Sequence, residues 1–447
     1  MTGPSLARHL AAVSEGNLGR LWRLWIVLLV IGAVGNFGTA VLRVPEILPT
    51  PRPLDLASYY AGAWAMRDGA SPYYWPQGLV ESLSRSHGLS VVPSPSASPP
   101  PWIWMSQVLT PLSFPTAAWL WLLLSLALLA WSTRLLAQIG GYAGWRAALA
   151  LVPVTLTFGS VFLNLTLGQN CLFVLVAALV AGRYLAGYGS LPGAAGFWVV
   201  AVAAKIYPVL WVLAWPFLRR WRLMASALVL LGALFAAVAW LEPQANRDYW
   251  MHYLSGRGQE SGAYVSADDQ SLEARILLFG RTNRLWFGGL DAGVGAERVW
   301  HSPWQISLGA ARLAAWLVFM GLAVGMVLAW RRAVVLRNGE AIVGEGLFYA
   351  LVLASLLPVP HTERYNHVLL LPAMAWLWAR GTTYRSLVVI AYCLVGLSRL
   401  NHLWARLLDW PLGPIATGGC TYAVLVLGFG IAHCAVTRKV SISRPTG

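Results

Sequence analysis

Long apolar segments recur along the chain, separated by short polar connections and by two longer polar segments. The apolar segments carry few charges, and most are long enough to cross a bilayer as a helix. This pattern predicts an all-α polytopic membrane protein. The predicted spans are Leu21–Leu42, Thr116–Leu136, Trp145–Leu163, Cys171–Leu185, Leu191–Leu218, Leu223–Leu241, Ile306–Trp330, Ala341–Leu357, His367–Leu377, Ser386–Leu400 and Gly418–Val436.

The block Leu191–Leu218 is interrupted by Lys205-Ile-Tyr-Pro208. Proline removes a helical hydrogen bond and disfavours helix at the preceding residue. Arginine-rich connections prefer the cytoplasmic side, and Arg20 and Arg219-Arg-Trp-Arg222 share that side only if the block forms two helices. The resulting prediction is a bundle of about 12 helices with both termini in the cytoplasm.

The two longer polar segments then lie outside the cytoplasm. We expect an N-terminal membrane module, residues 1–241, with a large outer loop at 43–115 and a broken helix at 205–208. Residues 242–447 supply a second outer loop, 242–305, followed by C-terminal membrane helices. Within the first loop, Pro93–Pro101 predicts an irregular polyproline-like stretch, and Trp102–Leu112 predicts a short helix on the membrane surface.

Composition supports a membrane location. Hydrophobic residues make up 58% of the 447 residues and charged residues 11%, and the 25 tryptophans suit water–lipid boundaries. The net charge of +15 would suggest nucleic acid in a soluble domain, but here most arginines flank apolar segments as topology signals. The polar start of the chain before a full-length apolar run predicts a retained first helix rather than a cleavable signal. We therefore expect a multi-pass protein of the inner (plasma) membrane with no nucleic-acid partner.

Asp55 stands out because acids are rare, 17 in the whole chain, and because it follows the first span closely. A partly desolvated carboxylate at a membrane boundary can act as a general base. Tyr59, four residues on, stacks over Asp55 if this segment is helical, and Tyr60 follows it. The alternatives are a solvated loop carboxylate and an ordinary aromatic belt.

Lys205 is costly in an apolar segment and predicts a residue that faces a cavity or a partner, where a fixed cation would suit a phosphate. Snorkelling to the interface is the alternative reading. His361, Arg364 and His367 lie together between two spans and favour a cationic or proton-handling rim over a metal site or an ordinary loop. Two polar clusters in outer connections add candidates for substrate contact, namely Gln169, Asn170, Gln270 and Ser271.

Several chemistries have no support in the sequence. The four cysteines form no CxxC pair, so neither zinc nor a redox couple is indicated. No phosphate-binding glycine motif is present, so nucleotide binding is not indicated either. A transporter or flippase would be expected to carry repeat symmetry and acids within its helices, and neither is visible. That class, and a purely structural subunit, stay as rival hypotheses.

These residues together resemble the GT87 (DUF2029) glycosyltransferases of the membrane GT-C class, a family best known for mycobacterial phosphatidylinositol-mannoside mannosyltransferases. The resemblance covers roughly Leu21 to Ala379. The matching pieces are Asp55-x3-Tyr59-Tyr60-x8-Gly69-x2-Pro72-Tyr73, Gly168-Gln169-Asn170, Lys205-Ile-Tyr-Pro208 with Arg219-Arg-Trp-Arg222, Gln270-Ser271-Leu272 and His367-Val-Leu-Leu-Leu-Pro372. Two departures occur: Asp269 replaces an Asn, and Arg364-Tyr-Asn-His367 keeps one histidine where the family has two.

The resemblance implies a GT-C-like bundle and an inverting transfer of a hexose, mannose by analogy, from a polyprenyl-phosphate sugar to a lipid-linked or cell-envelope acceptor. Asp55 matches the catalytic acid position and would act as base, with His367 beside it. Lys205, Arg364 and His361 would bind the donor phosphate, and Tyr59, Tyr60, Gln169, Asn170, Gln270 and Ser271 would contact substrate. No cofactor is implied. Ala57 removes the Asp-x-Asp pair of metal-binding relatives, which favours metal independence. Arabinosyltransferase, lipid A glycosyltransferase and O-antigen ligase activities stay open within the same class.

Overall fold

A computed structural model describes residues 27, 30–38, 40–42, 44, 51–95, 98–142, 144–253, 269–287, 296–335, 340–359, 362–398, 408 and 411–437. The chain there is helical apart from one β-hairpin, which confirms a mainly α-helical membrane protein. The helices are α1 (Val30–Leu42), α2 (Leu54–Arg67), α3 (Leu79–His87), α4 (Pro100–Ser106), α5 (Phe114–Ile139), α6 (Trp145–Thr157), α7 (Gly159–Leu167), α8 (Cys171–Leu185), α9 (Leu191–Ala204), α10 (Ala214–Phe217), α11 (Trp221–Leu241), α12 (Pro243–Arg247), α13 (Leu272–Gly280), α14 (Leu308–Val335), α15 (Glu340–Ala354), α16 (Leu370–Trp378), α17 (Thr382–Ser398), α18 (Leu412–Thr417) and α19 (Gly419–Thr437). Short 3-10 helices cover Gln107–Leu109, Tyr207–Leu213 and Arg364–Leu369, and a π-helix covers Asp248–Tyr253.

Four helices of the described chain are long and apolar enough to cross a membrane alone, namely α5, α11, α14 and α19. Their bounds agree with the predicted spans to within a few residues. In α11 and α14 only 17% of the most apolar stretch is buried by protein, so both present most of their surface outward, as lipid-facing helices do. The total of about 12 helices and the cytoplasmic termini stay predictions.

The predicted single span Trp145–Leu163 is wrong in its geometry. The chain bends by 74° between α6 and α7, and Phe158 at the break has an extended backbone conformation. Pro153 lies inside α6, and the Thr157 hydroxyl donates back to the Pro153 carbonyl at 2.8 Å. The first turn of α7 is completed from elsewhere, because the Gly159 N–H donates to Asn36 Oδ1 at 3.1 Å. The bend directs α7 and the turn after it toward the start of α2.

The block Leu191–Leu218 is interrupted at the predicted place. α9 ends at Ala204, Lys205 is extended, and a 3-10 helix begins at Tyr207. The Trp198 indole N–H donates to the Pro208 carbonyl at 2.8 Å, which ties the two pieces together across the break. A charged side chain is thereby presented at the end of a buried helix.

The segment 242–305 is more structured than a polar loop. It contains α12, the π-helix, α13 and an antiparallel hairpin of β1 (Asn283–Phe287) and β2 (Ala296–Trp300), with Asn283 opposite Trp300. No strand was expected there. The polyproline-like stretch also ends early, because Pro100 and Pro101 already belong to α4, where the missing N–H costs nothing in the first turn.

One large apolar core joins the two halves of the chain. It includes buried residues of α2, α5, α8, α9, α15, α16 and α19. α8 lies at its centre: most of its side chains are fully buried, and it contacts α5, α9 and α15. Residues on both sides of position 241 contribute to this core, and the division of the chain at residue 241 stays a prediction.

Candidate functional site

Asp55 lies in the first turn of α2, where a negative charge is favoured by the helix dipole. The rest of α2 from Leu56 to Met66 is almost entirely buried, whereas Asp55 itself is half-buried. The carboxylate therefore stands at the edge of the core and stays partly exposed. Tyr59 is one helical turn further on, and only 2% of it is exposed.

The turn after α7 holds this carboxylate. Gly168 has a positive φ of 67°, and a Cβ there would lie 2.6 Å from Pro53 Cβ, so only glycine allows the turn to approach the start of α2 so closely. The next residue, Gln169, donates from Nε2 to Asp55 Oδ2 at 2.6 Å. Its Oε1 accepts from the Tyr59 hydroxyl at 3.1 Å. Three of the predicted site residues are thus joined directly.

Lys205 approaches this carboxylate from the end of α9. Its Nζ lies 5.1 Å from the centre of the Tyr365 ring, in cation–π range, and the side chain is half-buried. Within the described chain, Lys205 Nζ has no hydrogen-bond acceptor and no carboxylate in ion-pair range. The lysine charge is nevertheless close enough to act on Asp55. The site therefore contains a cation whose charge is only partly compensated.

Burial raises the pKa of Asp55 to about 6, while the charge of Lys205 and the hydrogen bond from Gln169 oppose that rise. A carboxylate with this pKa is mostly ionised at neutral pH, yet it binds a proton more readily than an exposed aspartate does. That is the balance a general base needs, because its pKa should lie near the working pH.

The 3-10 helix Arg364–Leu369 turns its residues to two different sides. Tyr365 faces Lys205, and Asn366 Oδ1 accepts from Cys171 Sγ at 3.3 Å and from the Tyr207 hydroxyl at 3.4 Å. Arg364 instead donates to the Ser398 carbonyl at 3.0 Å.

His367 shares the side of Arg364, since three residues complete a turn of a 3-10 helix. Its Nδ1 lies 3.3 Å from the Glu363 carbonyl, and Arg275 is the charged side chain that acts on it. Arg364 thus contacts Ser398 at the end of α17, and His367 lies near Arg275, whereas Tyr365 and Asn366 contact the side where Lys205 and Cys171 lie.

The remaining candidates are placed as follows. Asn170 lies beside Gln169 and donates to Ser98 Oγ at 3.3 Å and to the Ala204 carbonyl at 3.0 Å, so it joins the segment before α4 to the residue before Lys205. Tyr60 points away from Asp55 and donates to the Leu112 carbonyl at 2.6 Å. His361 lies outside the described residues.

Gln270 and Ser271 have contacts typical of structural residues. Gln270 donates from its side chain to the Thr417 carbonyl at 3.0 Å, and its backbone N–H donates to the Thr362 carbonyl at 2.8 Å. Ser271 caps α13 by accepting from the Ala274 N–H at 3.1 Å. Gln270 thus fastens the segment before α13 to the C-terminal helices, and Ser271 completes the start of α13.

Four residues near Asp55 and Lys205 were not singled out from the sequence: Ser98, Cys171, Tyr365 and Asn366. Cys171 is fully buried, and its thiol contacts the polar Asn366. The only feature of the sequence that could have pointed to Tyr365 and Asn366 is their position between two candidates, Arg364 and His367. The side to which each residue turns could not be deduced without the 3-10 geometry.

A second charged cluster lies at the other end of α8, roughly 20 Å away by helix rise. Glu345 is buried, accepts from the Tyr349 hydroxyl at 3.1 Å, and interacts with the charges of Arg183 and Arg380. Arg220 donates to the Leu185 carbonyl at 3.0 Å in the same region. The arginine-rich end of the bundle is therefore opposite the Asp55 end.

The fold defines a polytopic membrane protein. A polar cluster of Asp55, Gln169 and Lys205 lies at one end of its helices. The model of glycosyltransferase family 87 matches residues 98–357, which is more than half of the chain. The chain belongs to this family, and it is a membrane glycosyltransferase that uses a sugar donor and an acceptor. No curated protein and no solved structure matches it. The matched range contains Gln169 and Lys205 but begins after Asp55, so the case for Asp55 depends on its contacts.

A metal site was not expected. In the part of the chain that is described, no three His, Cys, Asp or Glu side chains come together as metal ligands would. Metal independence itself stays a prediction.

Proposed function

We propose that this glycosyltransferase moves a hexose from a polyprenyl-phosphate sugar to a lipid-linked or cell-envelope acceptor on the extracytoplasmic side of the plasma membrane. The observation that supports the proposal is the proximity of Asp55 and Lys205, two half-buried side chains close enough for the lysine charge to act on the carboxylate. A base that is ionised at neutral pH and a partly compensated cation are the two groups that a displacement at a glycosyl phosphate requires.

The reaction we propose is a single displacement with inversion at the anomeric carbon. An acceptor hydroxyl gives its proton to Asp55 as its oxygen forms the new bond to the sugar. The bond between the anomeric carbon and the phosphate oxygen breaks, and the prenyl phosphate leaves with both bonding electrons. The added negative charge develops on the phosphate, where Lys205 stabilises it in a water-poor site.

The contacts of Lys205 support this role. A lysine that bound a protein carboxylate tightly would have little attraction left for a phosphate, whereas the ring of Tyr365 holds the ammonium group without neutralising it. Arg364, His361 and His367 stay predicted members of the donor site. Arg364 and His367 would have to act through the 3-10 helix that carries Tyr365, given their present contacts.

The proposed side of the membrane follows from the charge distribution. Arg183, Arg220 and Arg380 group at the end of the bundle opposite Asp55, and clustered arginines favour the cytoplasmic side. The site would then open away from the cytoplasm, where sugars are carried on lipids rather than on nucleotides. Mannose and the polyprenyl carrier are suggested by the family resemblance, and membership of a glycosyltransferase family disfavours the transporter hypothesis.

The test is transfer by the purified protein in liposomes. Polyprenyl-phosphate mannose carrying a labelled sugar, together with an envelope lipid extract, should give a new mannosylated product in mass spectrometry. Its anomeric configuration should be opposite to that of the donor. GDP-mannose in the same liposomes serves as the control and should give no product. Transfer from GDP-mannose, or none from polyprenyl-phosphate sugars, would contradict the proposal.

A further inference from the structure

We propose that Tyr59 and Gln169 form a hydrogen-bond chain of fixed direction that positions Asp55, so that Gln169 is a positioning residue and not a substrate ligand. The proposal rests on the proposed function only in taking Asp55 as the base. The arrangement links α2 to the turn after α7 and contains three side chains in series.

The direction of the chain follows from hydrogen-bonding capacity. An ionised carboxylate can only accept, so the Gln169 amide must present its NH₂ group to Asp55. The amide oxygen then faces Tyr59, and the phenol must donate to it. Reversing the amide would place two acceptors together at Asp55. The Tyr59 hydroxyl therefore fixes the orientation of the amide, and the amide fixes that of the carboxylate.

Burial argues against a role for Gln169 in binding substrate. Only 2% of Gln169 and 2% of Tyr59 are exposed, whereas Asp55 is half-buried. The Gln169 amide uses its oxygen on Tyr59 and one N–H on Asp55 Oδ2. Asp55 Oδ1 is then the oxygen left to accept a proton from an acceptor hydroxyl. When Oδ2 is held in place, Oδ1 has a fixed direction. A base with a fixed direction toward the reacting hydroxyl accelerates the reaction more than a freely rotating one.

The backbone around Gln169 is held in place by close packing and hydrogen bonds, which keeps the orientation of the amide constant. Gly168 adopts its left-handed conformation against Pro53 and Leu56, two residues that flank Asp55. The Gln169 N–H donates to the Asn164 carbonyl at 3.0 Å. The turn and the start of α2 are thus in direct contact, so packed backbone fixes the distance that the side chains of Gln169 and Asp55 have to span.

The hydrogen-bond chain of Tyr59 and Gln169 should also change the pKa of Asp55. The amide N–H lowers the pKa of the carboxyl because it stabilises the ionised form, and it opposes the larger effect of burial. The other charged or titratable groups around Asp55 are Lys205 on the break after α9, Tyr59 on α2, Cys171 on α8, and Glu363 and Tyr365 before α16. Removing the amide leaves these groups in place, so its own effect can be measured.

The experiment compares the full-length protein with Gln169→Leu and Tyr59→Phe. Tyr384→Phe is the matched control, because it removes another mostly buried phenol hydroxyl, one that lies 3.1 Å from His433 and far from Asp55. Infrared difference spectra over a pH series report the protonation of Asp55 through the carboxyl band that disappears in Asp55→Asn. The kinetic readout is kcat, the KM for the acceptor and the acidic limb of the pH–rate profile.

We expect the Asp55 midpoint to rise in Gln169→Leu, to rise less in Tyr59→Phe, and to stay unchanged in Tyr384→Phe. In Gln169→Leu, kcat near neutral pH should fall by about tenfold or more, while the acceptor KM changes by less than about twofold. Tyr59→Phe loses a single oxygen atom, so it carries the test if Gln169→Leu does not fold.

An unchanged midpoint in both variants would overturn the inference. So would a raised acceptor KM in Gln169→Leu with an unmoved acidic limb, because that result is typical of a lost substrate contact. The infrared readout needs no turnover. A midpoint that shifts as expected in a protein that transfers no sugar would therefore contradict the proposed function and support the hydrogen-bond chain.

Discussion

The charged side chains near the two ends of α8 differ in burial and in the partners that compensate their charge. At one end Glu345 is buried, is hydrogen-bonded to Tyr349, and interacts with Arg183 and Arg380. At the other end Asp55 is half-buried and Lys205 is compensated mainly by an aromatic ring. Removing one member of such a buried charge cluster leaves the other charges uncompensated, and charges that face one another are poorly available to a ligand. We infer that the Glu345 end serves stability and the Asp55 end serves chemistry.

The largest expected effect on stability is at the Glu345 end. Glu345→Ala removes the carboxylate that two arginines face, which should lower the free energy of unfolding by about 3 kcal/mol or more. Unfolding in detergent monitored by circular dichroism measures it. Glu345→Gln, which keeps a partner for Tyr349, should lose less. A variant as stable as the wild type would show that this cluster does not hold the fold.

Asp55 should have the opposite effect on stability. Its pKa in the folded protein, about 6, is above the ordinary 3.8, so the folded state binds the proton more tightly than the unfolded state does. Stability should therefore fall as the pH rises from about 4 to about 6, and then stay level. Asp55→Asn removes this penalty and should stabilise the protein near pH 8, by about 3 kcal/mol at most.

The control for Asp55→Asn is the same comparison near pH 3, below both the ordinary pKa of 3.8 and the folded value, where Asp55 is mostly protonated in both states and the difference due to its charge should disappear. Melting temperatures in detergent at the two pH values are sufficient. If Asp55→Asn lowered stability near pH 8, the carboxylate would be a structural group like Glu345, and the contrast between the two ends would not hold.

Lys205→Met should weaken donor use without unfolding the protein. Loss of a charged contact to the donor phosphate should raise the donor KM by about tenfold to a hundredfold. Lys205→Arg keeps the charge and should recover part of the loss. The measurement is initial rate against polyprenyl-phosphate sugar concentration. An unchanged donor KM in Lys205→Met would exclude the phosphate role.

The smallest effect concerns the ring under Lys205. Tyr365→Leu removes the cation–π contact and should weaken donor binding by about threefold to thirtyfold, whereas Tyr365→Phe keeps the ring and should bind donor normally. The same donor titration distinguishes them. Equal losses in both variants would assign the effect to the hydroxyl group instead of the ring.

The sequence predicted the four long apolar helices α5, α11, α14 and α19 because a run of apolar residues of spanning length has few alternatives in a bilayer. The bend between α6 and α7 was missed for a physical reason. The apolar run is continuous through Phe158, and the hydrogen bond that completes the start of α7 comes from Asn36, 123 residues earlier. The hairpin β1–β2 was missed too, since it lies in a segment without a clear alternating pattern.

In the site, Asp55 and Lys205 could be selected because a charge in apolar surroundings needs a reason. The contact between Asp55 and Gln169 could not be predicted in the same way. It depends on the left-handed conformation of Gly168, which brings Gln169 to α2, and it joins residues 114 apart in the chain. Arg364 and His367 were preferred over Tyr365 and Asn366 because charge is visible in a sequence. Which of these side chains faces Lys205 is decided by the 3-10 rotation.

The most direct test of the account is the single-turnover rate of Asp55→Asn with polyprenyl-phosphate mannose and acceptor near pH 8. The variant should fold, bind the donor as the wild type does, and transfer sugar about 10² to 10⁴ times more slowly, since it lacks the base. The wild-type rate should fall as the pH decreases through about 6, in step with protonation of Asp55. A folded Asp55→Asn protein that transfers sugar at the wild-type rate would contradict the account.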